Sequence, residues 1–218
     1  MKKRLVQSKK RYVAAFAIGT ALFIALFGLS YFFADLQYQR ISNMQIKTAY
    51  SVLEGNSLYQ VFDESICSDE SFKKVSEELA FQGESMDDLE NKFGKTNDRV
   101  LERKEFYTLM LLEHFGFVKA LNEKCDKDIR TILFFYSNSE DEEISREVGR
   151  ILDVVSLRNE NVVIYSFDIN LDSELMRKLK VKYAVDISPT VIINEKYKIY
   201  NPRSSLDIER LVNEFEQN

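Results

Sequence analysis

The chain has 218 residues, with 30 basic and 35 acidic groups, one His, two Cys, two Pro, seven Gly and no Trp. That length allows one or two ordinary domains, and 45% apolar with 12% aromatic content excludes a disordered chain. Two cysteines exclude a disulfide-framed mini-protein, one His excludes a site of several imidazoles, and scarce Gly and Pro favour long helices over a turn-rich all-β fold.

Residues 2–11 hold Lys2, Lys3, Arg4, Lys9, Lys10 and Arg11 and no acid, so the net charge of −5 divides into +6 here and −11 from residue 34 onward. Residues 12–34 carry no charge. As a helix they span roughly 34 Å, enough to cross a hydrocarbon core of about 30 Å. Tyr31, Phe32 and Phe33 sit where aromatic rings suit the interface. A buried core helix rarely lacks a polar face over six turns. A signal peptide needs a shorter apolar run and a small residue where Phe32 stands. The expectation is a basic cytoplasmic tail (1–11), a retained transmembrane helix (12–34) and an acidic remainder outside the cytoplasm. The cell membrane is therefore the expected location and lipid an expected partner, whereas the acidic remainder gives no reason to expect nucleic acid.

Residues 35–128 read as a helical segment. One helix, or two with a weak point at Gly55-Asn56, covers 36–62. Phe72, Val75, Leu79, Met86, Leu89 and Phe93 then form an apolar seam with steps of 3, 4, 7, 3 and 4. Gly83 interrupts this seam and is a place where a kink can form. Gly94 is a stop and Asn97 or Asp98 a restart for a helix over 98–123. The short turn implies an antiparallel hairpin. His114 has no nearby His or Cys at helical spacing, so it reads as structural and no metal is expected.

Cys67 precedes one hairpin helix and Cys125 follows the other, so the two ends meet in an antiparallel arrangement. Three readings stay open: a structural bridge, two free thiols, or an exchange-active pair.

Residues 129–218 read as β-α-β-α-β-β-α. The strands are Ile129–Tyr136, Val162–Phe167, Thr190–Asn194 and Tyr197–Tyr200. The helices cover 141–157, from Ser173 to Leu179 or Lys182, and 205–216, the last with Leu206, Ile208, Leu211, Val212 and Phe215 on its apolar side. The first three elements make a parallel βαβ unit and the hairpin adds antiparallel strands.

Phe134-Phe135-Tyr136-Ser137-Asn138, Tyr165-Ser166-Phe167-Asp168, and Val181–Val185 leading to Ser188-Pro189-Thr190 carry a resemblance to the thioredoxin superfamily. The chain also resembles membrane-anchored thioredoxin-domain proteins of archaeal type. The resemblance implies an α/β fold: a thioredoxin-like mixed-sheet domain preceded by the helical segment and the transmembrane helix. It also implies a cis-proline at Pro189, with Ser188 and Thr190 in a peptide-binding loop. The family's CxxC pair falls on Glu142 and Ser145, and its buried strand Asp on Phe134, so thiol chemistry is missing where the family keeps it. Cys125 lies roughly 26 Å from that position along a strand. Glu140-Asp141-Glu142-Glu143 reads as acids complementing a helix N-terminus. Asp168-Ile-Asn170-Leu-Asp172 lacks the later residues of a calcium loop.

The expectation from these residues is a membrane-anchored, redox-inactive thioredoxin-like scaffold binding an unspecified protein partner, without enzymatic activity, cofactor or metal. A thiol-disulfide oxidoreductase using Cys67 and Cys125 and a structural helical oligomer stand as alternatives.

Overall fold

A computed structural model describes residues 2–62, 67, 69–139 and 141–214. Glu140 and Phe215, both named above, lie outside the described residues. Two compact units are present, Met1–Met44 and Gln45–Asn218.

Helix α1 (Lys2–Phe62) runs through Gly55 and Asn56 without a break, so the weak point does not divide it. Among the described residues this is the one helix long and apolar enough to cross a membrane.

Helices α2 (Asp69–Phe93) and α3 (Asp98–Cys125) form the hairpin. Gly94 adopts φ +89°, which L side chains rarely take, and its N–H closes the last turn on the Glu90 carbonyl at 2.9 Å. Asn97 caps α3 by accepting from the Arg99 N–H at 3.0 Å. Val75, Leu79, Met86 and Leu89 of the seam are buried. Helix α2 runs through Gly83 without a break. Glycine is needed there for space: a Cβ would stand 2.9 Å from the Tyr107 hydroxyl, which donates to the Leu79 carbonyl at 3.0 Å.

The remaining elements are β1 (Arg130–Tyr136), α4 (Glu142–Arg158), β2 (Val162–Asp168), α5 (Glu174–Tyr183), β3 (Thr190–Ile193), β4 (Tyr197–Tyr200) and α6 (Ser205–Asn213). The sheet order is β2-β1-β3-β4. β1 pairs with β2 in parallel and with β3 antiparallel, and β3 pairs with β4 antiparallel. Asn194 and Glu195 both take positive φ in the hairpin turn, the backbone that a tight β-hairpin requires.

β1 is central, so both of its faces are covered. On one side Leu133 and Phe135 pack with Tyr165, Phe167, Leu111 and Phe115 of α3, and Met176 and Leu179 of α5. On the other, Ile132 and Phe134 pack with Val148, Leu152 and Val155 of α4, and Ile208 and Val212 of α6. This mixed α/β fold with a four-stranded sheet and flanking helices is compatible with a thioredoxin-like arrangement. Helix α3 serves two cores at once, which explains why it is apolar around so much of its girth.

Candidate functional site

Cysteines 67 and 125 sit at the open end of the hairpin. An antiparallel helix pair returns the start of α2 to the end of α3, and the two residues are joined as a disulfide with Cα atoms 5.5 Å apart. Their separations satisfy what a bridge requires. Cys67 is exposed and Cys125, the last residue of α3, is half-buried. Lys124 and Lys127 flank Cys125 in sequence, together with Asp126. This bond corrects the reading of the chain as a redox-inactive scaffold without enzymatic activity. The chain's two sulfur atoms able to exchange are joined, and one of them stands at the surface. Exposed disulfides are open to attack by thiolates, which buried ones resist.

The opposite end of the sheet holds Glu142 and Ser145, onto which the resemblance would place a redox pair. Glu142 opens α4 and is held by Lys95 at 2.5 Å, from the α2–α3 turn, and by Arg146 one helical turn on. The hydrogen bond from Lys95, with Arg146 in support, keeps the Glu142 carboxyl below its ordinary value. Ser145 is buried, and its Oγ accepts from the Ser137 backbone N–H at 3.0 Å. Ser145 thus holds the chain at the end of β1, and Glu142 ties the start of α4 to the α2–α3 turn. The Ser188–Pro189 bond is cis. The Ser188 hydroxyl donates to Asp141 Oδ2 at 3.3 Å, the Asn201 N–H donates to the Pro189 carbonyl at 3.0 Å, and the buried Thr190 Oγ1 donates to the Ile187 carbonyl at 2.6 Å. The bridge and this loop do not meet: Cys125 precedes β1, whereas Thr190 pairs with Phe135 near its end.

A buried ionic cluster, not anticipated from the sequence, closes the same end. Lys104 of α3 pairs with Glu90 of α2, and with Asp168 Oδ2 of β2 at 2.7 Å. All three side chains are at most 8% exposed. Asn138 Nδ2 donates to Glu90 Oε2 and to Asp168 Oδ2, both at 3.1 Å. Asp168 Oδ1 accepts from the Asn170 N–H at 2.9 Å, and Asn170 Oδ1 accepts from Ser137 Oγ and the Asn138 N–H, each at 2.9 Å. The Lys104 ammonium also lies 5.7 Å from the centre of the Tyr136 ring. Burial pushes the Glu90 carboxyl up, with Lys104 opposing. It also drives the Tyr136 hydroxyl well up, with the Asp168 charge adding to the effect. One ammonium serves two carboxylates, so the hairpin tip is bound to the ends of β1 and β2 by charge. The signal was present: Val100, Lys104, Thr108, Leu111 and Phe115 share one helix face, and a lysine on a buried face requires a carboxylate.

His114 lies between these ends. It is 1% exposed, with Nδ1 2.9 Å from the Tyr165 hydroxyl and Nε2 3.2 Å from Ser76 Oγ, and Phe72 stacks on it with ring centres 5.7 Å apart. Burial lowers its pKa to about 4, so the ring is neutral near pH 7. Among the described residues no group of three His, Cys, Asp or Glu side chains could hold a metal ion.

Comparison with protein-family models, with curated proteins and with solved structures found no match to this chain.

Proposed function

We propose that the chain is a membrane-anchored thiol-disulfide exchange protein with a thioredoxin-like domain, working through Cys67 and Cys125 rather than through the positions at α4. The observation that carries this reading is the Cys67–Cys125 bond with Cys67 at the surface. A substrate thiolate attacks the exposed Cys67 Sγ; the intramolecular S–S bond breaks, and Cys125 leaves as a thiolate that takes a proton. The second thiolate of the same substrate then attacks the mixed disulfide and releases Cys67. The substrate dithiol loses two electrons and becomes a disulfide, while the bridge gains them and becomes two thiols. The reverse reaction with a disulfide donor restores the bridge.

The segregated charge supports a cytoplasmic tail at 1–11, a membrane span at 12–34, and residues 35–218 on the side where disulfides persist. In this reading residues 35–128 supply the exchanging pair and 129–218 the platform. The loop at Ser188, Pro189 and Thr190 offers a separate edge for an extended partner, away from the bridge, and Glu142 and Ser145 take no part in electron transfer.

The test uses the full chain in detergent with a reduced dithiol peptide. Wild type should oxidise the peptide stoichiometrically. The Cys125→Ser variant, with Cys67 first activated, should be trapped as a mixed disulfide by a peptide carrying a single thiol, which has no second thiolate to release Cys67. Peptide oxidation at the same rate by a Cys67→Ser/Cys125→Ser variant would sink the proposal.

A further inference from the structure

The outward face of α1 beyond the apolar span mixes large apolar side chains with polar ones. In the unit 45–218, Gln45, Thr48 and Val52 are buried while Ile46, Tyr50 and Leu53 are 48, 72 and 51% exposed. Three large apolar side chains thus point outward while two of the three inward positions are polar. In the unit 1–44, Leu36, Gln39 and Asn43 are exposed as well. The positions 36, 39, 43, 46, 50 and 53 follow steps of 3, 4, 3, 4 and 3, which is the heptad spacing of a two-stranded coiled coil.

We propose that a second copy of this chain covers this face, the two α1 helices pairing in parallel. Leu36, Asn43 and Tyr50 take the a positions, and Gln39, Ile46 and Leu53 the d positions. Charge complementarity selects a copy of the chain over lipid. In this register Asp35 is a g position and Arg40 the following e position. A parallel pair sets Asp35 of each chain against Arg40 of the other, twice, by symmetry. Asn43 at an a position meets its own counterpart only when the helices are parallel and in register. The preceding span, which gives every copy the same direction through a membrane, confines the copies and raises their effective concentration. The seam is short and half polar, so pairing relies on that confinement. None of this depends on thiol exchange, and each reading can fail without the other.

The full chain is reconstituted in liposomes at high lipid excess and oxidised after placing one new thiol per chain. Asn43→Cys should form a covalent dimer, whereas Glu77→Cys, on the exposed side of α2, should not. Adding Ile46→Asp and Leu53→Asp to Asn43→Cys should abolish the dimer. Both residues are exposed, and an intact Cys67–Cys125 bridge shows that the chain has folded. A dimer no stronger at Asn43→Cys than at Glu77→Cys, or one that survives the two aspartates, overturns the proposal. A chain monomeric throughout overturns it too and leaves the face to lipid headgroups.

Discussion

Replacing Lys104 by Met keeps most of the aliphatic volume and removes the ammonium that Glu90 and Asp168 share. In wild type that ammonium is almost fully enclosed, with Asp168 2.7 Å away and Glu90 in contact. Its loss leaves two carboxylates facing each other in a site nearly closed to water, with Asn138 the remaining side-chain donor to both. Removing one partner of a buried ion pair typically costs about 3–5 kcal/mol. The cost should depend on pH in a definite direction. Burial already raises the Glu90 carboxyl and Lys104 opposes that rise, so without Lys104 it climbs further. A carboxyl raised in the folded state favours folding at low pH and loses that contribution as pH increases through its folded pKa. The destabilisation should therefore be largest at neutral pH and shrink on acidification. Adding Glu90→Gln should recover a large part of it at pH 7. Urea unfolding of the full chain in micelles, followed by tyrosine circular dichroism at pH 7 and pH 5, reads all three quantities. A loss below about 1 kcal/mol at pH 7, or one that does not vary with pH, would refute the view of the cluster as buried and charge-dependent.

His114 gives a second pH signature. The folded ring takes its proton near pH 4, whereas the unfolded chain takes it near 6.5. Below 6.5 the unfolded state binds more protons, so stability falls with pH and the loss completes below pH 4 at about 3 kcal/mol. His114→Gln should flatten the profile between pH 6.5 and 4 relative to wild type; an unchanged slope would count against it. Gly83→Ala should cost about 1–3 kcal/mol through the clash with the Tyr107 hydroxyl, and Tyr107→Phe in the same chain should recover part of it, as midpoints of urea unfolding will show. Reducing the bridge, which spans a sequence separation of 58, should lower stability by about 4 kcal/mol in the chain-entropy account. Equal unfolding midpoints with and without reductant would contradict that.

The elements that could be read from sequence are those whose local pattern is consistent with their surroundings. β1 is an unbroken apolar run because both faces of a central strand are covered, and the α2 seam keeps its period because one face is buried. Gly94 and Asn97 mark the hairpin turn through backbone chemistry that operates within four residues. At Gly83 the close approach is that of a Tyr107 hydroxyl on the neighbouring helix, which no local pattern contains. The Lys104–Asp168 contact joins residues 64 apart, and only the fold brings α3 to the end of β2. The cysteines fall between these cases. Hairpin order implies that their backbones meet, but chain order says nothing about which sulfur faces water, and that exposure separates an inert staple from an exchangeable one.

The placement of the two clamps on the hairpin makes exchange compatible with a stable fold. One end is covalent, at Cys67 and Cys125; the other is ionic, where Glu90, Lys95 and Lys104 hold Asp168, Glu142 and Asn138. Between them α3 is fixed to the sheet by Leu111 and Phe115, which belong to one core cluster with Leu133, Tyr165 and Met176. Opening the bridge removes the covalent restraint on the start of α2 and the end of α3, while the ionic cluster and the packing of Val75 and Leu79 against Met110 remain. The part nearest the bridge is the first turns of α2, where Phe72 and Ser76 cover His114. The tip, with its buried charges already neutralised in part, has no reason to follow. A two-electron event at Cys67 can then alter the covering of one buried imidazole while the α/β layers stay intact, whereas a bridge spanning the sheet would have put the whole core at risk.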